Sequence, residues 1–258
     1  MSSPEEYQDH IILYIDLLGF KDAIRSNKEI IDIIEELLTI IAGIKREYQI
    51  EEIPGNMIEM NPAISTFSDH LVVSYPIAPL KKHKVLDWVI VEFRKIVGSL
   101  IIRTLRDGFL LRGSLTLGNI YHHKGIIFGE GLNRAYEMES KVAIYPRIVV
   151  SDDVLPIAAP AEAYVGKMIK EDFDGILHLD YLDDTLIRCP SWWRDWVIKL
   201  TTHNIDKYKK SDELIKLAKW GWFSRYFKES TASFDEIVER CRKGAMTMEE
   251  ALALSPKD

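Results

Sequence analysis

Two carboxylates stand out by type and position. Asp16 follows Ile11, Ile12, Leu13, Tyr14 and Ile15, an apolar and β-branched run that reads as a strand buried on both faces. Gly19 then lets the backbone turn sharply. Asp69 lies between 62–68 and 70–75, two strand-like runs flanking a tight turn. Carboxylates at the ends of adjacent strands form the oxygen-rich rim that Mg²⁺ or Mn²⁺ prefers, with phosphate filling the remaining positions. The plain alternative is that Asp16 caps a following helix and Asp69 is a solvated turn residue. Arg112 lies inside an otherwise apolar strand, next to Gly113, which permits close backbone approach. An arginine there clamps a polyphosphate, or pairs with a carboxylate at the sheet edge. Gly129 and Gly131 lead into a helix start whose free N–H groups favour anions. Arg147 adds a cation just before the next strand.

These side chains need a scaffold, and the periodicity supplies one. After the first strand, residues 28–47 place isoleucines and leucines at helical spacing. Pro54 and Gly55 break the chain, and 62–68 and 70–75 follow as the hairpin carrying Asp69. Residues 85–105 read as a second long helix. Residues 109–117 and 120–128 read as strands, with Gly118 and Asn119 as the hairpin signal between them. A short helix over 132–141 and a buried strand at 148–150 complete the pattern. Helices interleaved with hairpins predict an α+β fold, with a mixed or antiparallel sheet covered on one side. The character changes near Leu155, so two units are expected: 1–155 carrying the candidate site, and a mostly helical C-terminal extension, 156–258, packed on it. Five of the six tryptophans fall between Trp192 and Trp222 and read as aromatic packing in that extension.

Composition narrows the class. With 258 residues, 47% hydrophobic and 28% charged, the chain is long enough for a real core and too apolar for disorder. Its 40 carboxylates against 33 lysines and arginines argue against duplex nucleic acid as a partner. No apolar run reaches the roughly 20 residues of a spanning helix, and the acidic N-terminus is unlike a signal peptide. Cys189 and Cys241 have no paired spacing, so a reducing cytoplasm fits. His122 and His123 read as hairpin residues, because neighbours on a strand point to opposite faces. The lysine run at 207–210 reads as a solvated helix face.

In order and spacing, these pieces resemble the class III nucleotide cyclase catalytic domain over residues 11–151. The family's Asp-[Ile/Leu]-x-Gly-Phe is matched by Asp16, Leu17, Leu18, Gly19 and Phe20, and its hairpin Asp by Asp69 after Ser68. Its Arg-x-Gly strand resembles Arg112 to Gly118, and its Gly-x-x-Val-Asn-x-Ala helix start resembles Gly129 to Ala135. The resemblance implies a ferredoxin-like core and a head-to-tail homodimer with active sites at the interface. It also implies two Mg²⁺ or Mn²⁺ ions per site on Asp16, Asp69 and the Leu17 carbonyl. Asn133 would orient the ribose from the partner subunit, Arg112 would act in catalysis, and Phe20, Arg134 and Arg147 would bind substrate.

Departures from the family pattern refine the expectation. Glu137 stands where the family carries its transition-state arginine, so Arg112, Arg134 or Arg147 must replace it, or activity is lost. Ser65 and Ile126 stand where adenylate cyclases carry a purine-reading Lys/Asp pair. This combination, with the Ala135–Glu139 and Tyr145–Ile148 segments, looks like the bacterial pyrimidine cyclases of Pycsar antiphage systems. That implies a cytoplasmic enzyme making cyclic UMP, or else cyclic CMP, whose product acts on a separate effector protein. Two other readings stand beside it: a degenerate cyclase fold that binds nucleotide without turnover, and a purine cyclase with unusual base contacts.

Overall fold

The apolar run at 11–15 is the centre of β1 (Gln8–Leu18), where His10 to Asp16 are all buried. The computed structural model describes residues 7–20, 23–24 and 62–242, with residues 35, 39, 52–53 and 56–57. The helix read over 28–47 and the break at Pro54 and Gly55 therefore lie outside the described residues, apart from 35 and 39. The chain continues through β2 (Ala63–Phe67), β3 (His70–Pro76), α1 (Ile77–His83) and α2 (Trp88–Thr104). Next come β4 (Leu110–His123), β5 (Ile126–Phe128), α3 (Glu130–Lys141), β6 (Ile148–Val150) and α4 (Leu155–Val165). Last are β7 (Ile169–Glu171), β8 (Leu177–Leu179), α5 (Leu182–Arg188), α6 (Ser191–Lys210) and α7 (Leu214–Arg242).

The fold is α+β. Seven strands run in the order β2-β3-β1-β4-β6-β8-β7, and β5 pairs with β4 to make a sheet of eight; the two-residue strands Glu52–Ile53 and Asn56–Met57 pair with each other in a separate sheet. The first four lie β4-β1-β3-β2, each antiparallel to its neighbours, which is the strand order of a ferredoxin-like core. Among the described residues the one parallel pair is β4 with β6, joined through α3. One face of the sheet is buried under α2, α4, α5, α6 and α7, whose apolar side chains form one continuous cluster with the odd-numbered residues of β1. Each fully buried Ile, Leu or Val there contributes about 1.5–3 kcal/mol. The opposite face is not bare: α3 lies on it over Ile12, Tyr14 and Ile120.

Two features differ from the sequence reading. The hairpin is not at Gly118 and Asn119, because β4 runs straight through them. The turn falls at Lys124 and Gly125, whose φ angles of 50° and 80° suit a two-residue hairpin. Gly118 serves a different purpose: a Cβ there would sit 2.5 Å from the Cα of Gly131, so the glycine lets α3 press on β4. The second difference is that the sheet continues past Leu155. β8 pairs with β6 and β7 with β8, and Trp193, Trp220 and Trp222 are buried in the main cluster while Trp192 is exposed.

Candidate active site

Register brings three charged side chains into one row. Asp16 on β1 is paired with His70 of β3 on one side and Arg112 of β4 on the other, so all three project from the same face. The amide of Leu17 donates to the carbonyl of Asp69 at 3.0 Å and pins the β2–β3 turn to the end of β1. Ser68 enables that turn with φ at 55°. After Leu18, Gly19 takes φ at 103° and turns the chain away from the row.

The side chains converge. Asp16 is 5% exposed and Asp69 8%. His70 stands between them, with Nδ1 3.2 Å from Asp69 Oδ1 and Nε2 3.6 Å from Asp16 Oδ1. One donor atom from each of the three lies within 4.8 Å of the others. Arg112 Nε donates to Asp16 Oδ2 at 2.8 Å, and its Nη2 lies 2.6 Å from Glu139 Oε1. Glu139 is 1% exposed on the inner face of α3. Burial, opposed by Arg112 and reinforced by Asp16 and Asp69, pushes its carboxyl up to about 7. Burial, then the Glu139 and Asp16 charges, raise the Tyr14 hydroxyl well above its ordinary value. Asp16 and Glu139 share the one guanidinium while Asp69 stands beside Asp16, and a hard cation there would favour the charged forms of these carboxyls. The two carboxylates are oxygen donors that Mg²⁺ or Mn²⁺ accepts, and the His70 imidazole beside them suits a transition metal rather than Mg²⁺.

Other expected site residues lie elsewhere. Asn133 and Glu137 are exposed on α3, on the face opposite Gly131 and Ala135, and Glu137 pairs with Lys141. Arg134 donates to the Leu117 carbonyl and pairs with Asp153 at 2.6 Å, away from the row. Arg147 is a correction. It is fully buried and clamped by Asp172 at 2.5 Å and Asp174 at 2.6 Å, so its charge fastens the β7–β8 turn and is closed to a ligand. Phe20 is 4% exposed, so its side chain is buried rather than offered to a ligand. His122 is buried rather than turned out in a hairpin, and hydrogen-bonds with Ser74 at 2.7 Å and Ser65 at 2.9 Å. Sequence reasoning missed His70 and Glu139. His70 follows Asp69 directly, and Glu139 is visible as the last member of the i, i+4, i+8 stripe Gly131, Ala135, Glu139.

No family model matches the chain, and no curated protein matches it. Among solved structures it is similar to a bacterial light-regulated adenylyl cyclase, at 14% identity over 70% of this chain and 97% of that one, with a TM-score of 0.42. It is also similar to an adenylate/guanylate cyclase/hydrolase from Silicibacter pomeroyi, at 17% identity over 67% and 95%, with a TM-score of 0.36.

Proposed function

We propose that the protein is a metal-dependent nucleotidyl cyclase acting on a pyrimidine nucleoside triphosphate, UTP ahead of CTP. The observation that carries this reading is the convergence of Asp16 and Asp69 at one sheet rim, within 4.8 Å of each other and of His70. Mg²⁺ or Mn²⁺ ions held by Asp16, Asp69 and the Leu17 carbonyl would supply Lewis acidity to the 3′-hydroxyl and the triphosphate. The 3′-oxygen forms a bond to the α-phosphorus as the α–β anhydride bond breaks. The products are the 3′,5′-cyclic monophosphate and pyrophosphate, and the hydroxyl proton passes to water. Arg112 holds Asp16 and Glu139 in place. Of the three arginines that could replace the one missing at Glu137, it is the one at the carboxylates, because Arg134 and Arg147 are engaged elsewhere.

Exposure of Asn133 on α3 supports a homodimer in which it reaches the ribose in the partner's site. The Ser65 hydroxyl is taken by His122, and Ile126 is 57% exposed; neither supplies a purine-reading charge, which supports the pyrimidine assignment. The motif resemblance extends the proposal to antiphage defence, with the cyclic product acting on a separate effector protein. A second reading, nucleotide binding without turnover, is favoured by the Arg112–Asp16 ion pair, which occupies a carboxylate oxygen that an ion would need. Incubation of the purified chain with Mn²⁺ and ATP, GTP, CTP or UTP, read by mass spectrometry, separates these readings. A cyclic pyrimidine product supports the proposal and names the base. A cyclic purine removes the pyrimidine assignment, and nucleotide binding with no cyclic product selects the second reading.

A further inference from the structure

The α6–α7 hairpin reaches the end of β1. A cleft of about 860 Å³ opens there, lined by Leu18 and Gly19 just beyond Asp16, by Lys207, Lys216, Lys219 and Trp220 of the hairpin, and by the carboxylates of Asp107, Asp212 and Glu213. Lys216 pairs with Glu213 at 2.5 Å, and both Lys207 and Lys216 lie over the Tyr208 ring. Lys219 is different. It is half-buried, lies within electrostatic reach of Arg112, Asp16 and Glu139, and has no ion-pair partner within 4.0 Å among the described residues. Burial and then Arg112 hold its ammonium below the usual lysine range, against the pull of the two carboxylates. A half-buried ammonium without a close anion is costly unless an anion arrives to meet it.

The two directions along β1 from Asp16 differ in kind. Two residues back, Tyr14 meets His70, Phe67 and Tyr136 at ring-centroid distances of 5.3, 6.4 and 6.3 Å, with Phe67 and Tyr136 exposed. Two and three residues forward are Leu18 and Gly19, where the cleft and Lys219 begin. Aromatic rings suit a base, and a lysine suits phosphate. The geometry points to Lys219 as a binding residue for the β,γ-phosphate end of the substrate, supplied by the C-terminal helical hairpin rather than by the ferredoxin-like core. This rests on the nucleotidyl cyclase reading for the identity of the substrate, but the anion site stands or falls without it.

The test uses the full chain and inorganic tripolyphosphate with Mg²⁺, read by calorimetry and by the fluorescence of the neighbouring Trp220. Wild type is expected to bind, Lys219→Gln to bind on the order of tenfold more weakly, and Lys219→Arg and Lys216→Gln to stay near wild type. With the preferred nucleotide, Lys219→Gln should raise KM more than it lowers kcat. No binding by wild type overturns the inference, and so does equal binding by Lys219→Gln. A lower melting temperature in Lys219→Gln with unchanged binding also overturns it, leaving Lys219 as a counter-ion for Asp16 and Glu139. If tripolyphosphate binds through Lys219 while no nucleotide is cyclised, the anion site stands and the cyclase reading falls.

Discussion

The chemistry turns on how a few side chains share charge. Arg112 bridges Asp16 and Glu139, so Arg112→Ala leaves buried carboxylates without their cation. The variant should lose about 3 kcal/mol of stability in metal-free buffer. Mn²⁺ should restore more of the melting temperature in it than in wild type, because an ion takes over the missing charge; an equal Mn²⁺ response in both proteins would count against an ion at Asp16. At this scale the sequence was partly legible. Asp16 and Asp69 each stand at a turn marked by small or polar residues, and motif order paired them. His70 and Glu139 meet them only through strand register and helix phase, which no local pattern spells out. Arg147 was unreadable for a physical reason: an arginine before a strand looks the same whether it awaits a ligand or is buried, and its partners Asp172 and Asp174 lie 25 and 27 residues away.

The elements act as spacers that set those meetings. The inner face of α3 presses on β4 through Gly131 and Gly118, and a Cβ on Gly131 would come within 2.7 Å of Ile12 Cδ1 and 2.8 Å of the Gly118 carbonyl carbon. Gly131→Ala should therefore push α3 outward, cost about 1–3 kcal/mol in urea unfolding and displace Glu139 from Arg112. The order of strands and helices was readable because apolar period and turn residues both mark it. The turn at Lys124 and Gly125 was not, since Gly118 and Asn119 give the stronger local signal while serving helix packing. The β7–β8 turn is tied to α7 by Asp172. Burial would raise that carboxyl, but donation from Arg225, Trp222, the Phe173 amide and Arg147 outweighs it and holds the pKa at about 2. Because the folded value lies below the unfolded one, this stabilisation is complete above about pH 4 and lost as pH falls toward 2. Asp172→Asn should be about 2 kcal/mol less stable at pH 7, and its stability should fall less steeply than that of wild type between pH 4 and pH 2.

On the scale of the molecule, one sheet carries the carboxylate row, and Glu139 of α3 and Lys219 of α7 reach it from the middle and the C-terminal part of the described chain. Among the described residues no helix is long and apolar enough to cross a membrane. If Asn133 serves the partner's site, then Asp16→Asn and Asn133→Ala damage opposite halves of each shared centre. Mixing the two inactive variants should return about a quarter of wild-type activity, since about half the dimers are mixed and each holds one intact site; no recovery would place Asn133 outside a shared centre. The central claim is that Asp16 and Asp69 form an ion-binding catalytic pair. Its most direct test is Mn²⁺ binding by the folded chain, measured by electron paramagnetic resonance for wild type, Asp16→Asn and Asp69→Asn. Wild type is expected to bind Mn²⁺, and each variant to bind it about a hundredfold more weakly. Equal Mn²⁺ affinity in all three proteins would contradict the claim.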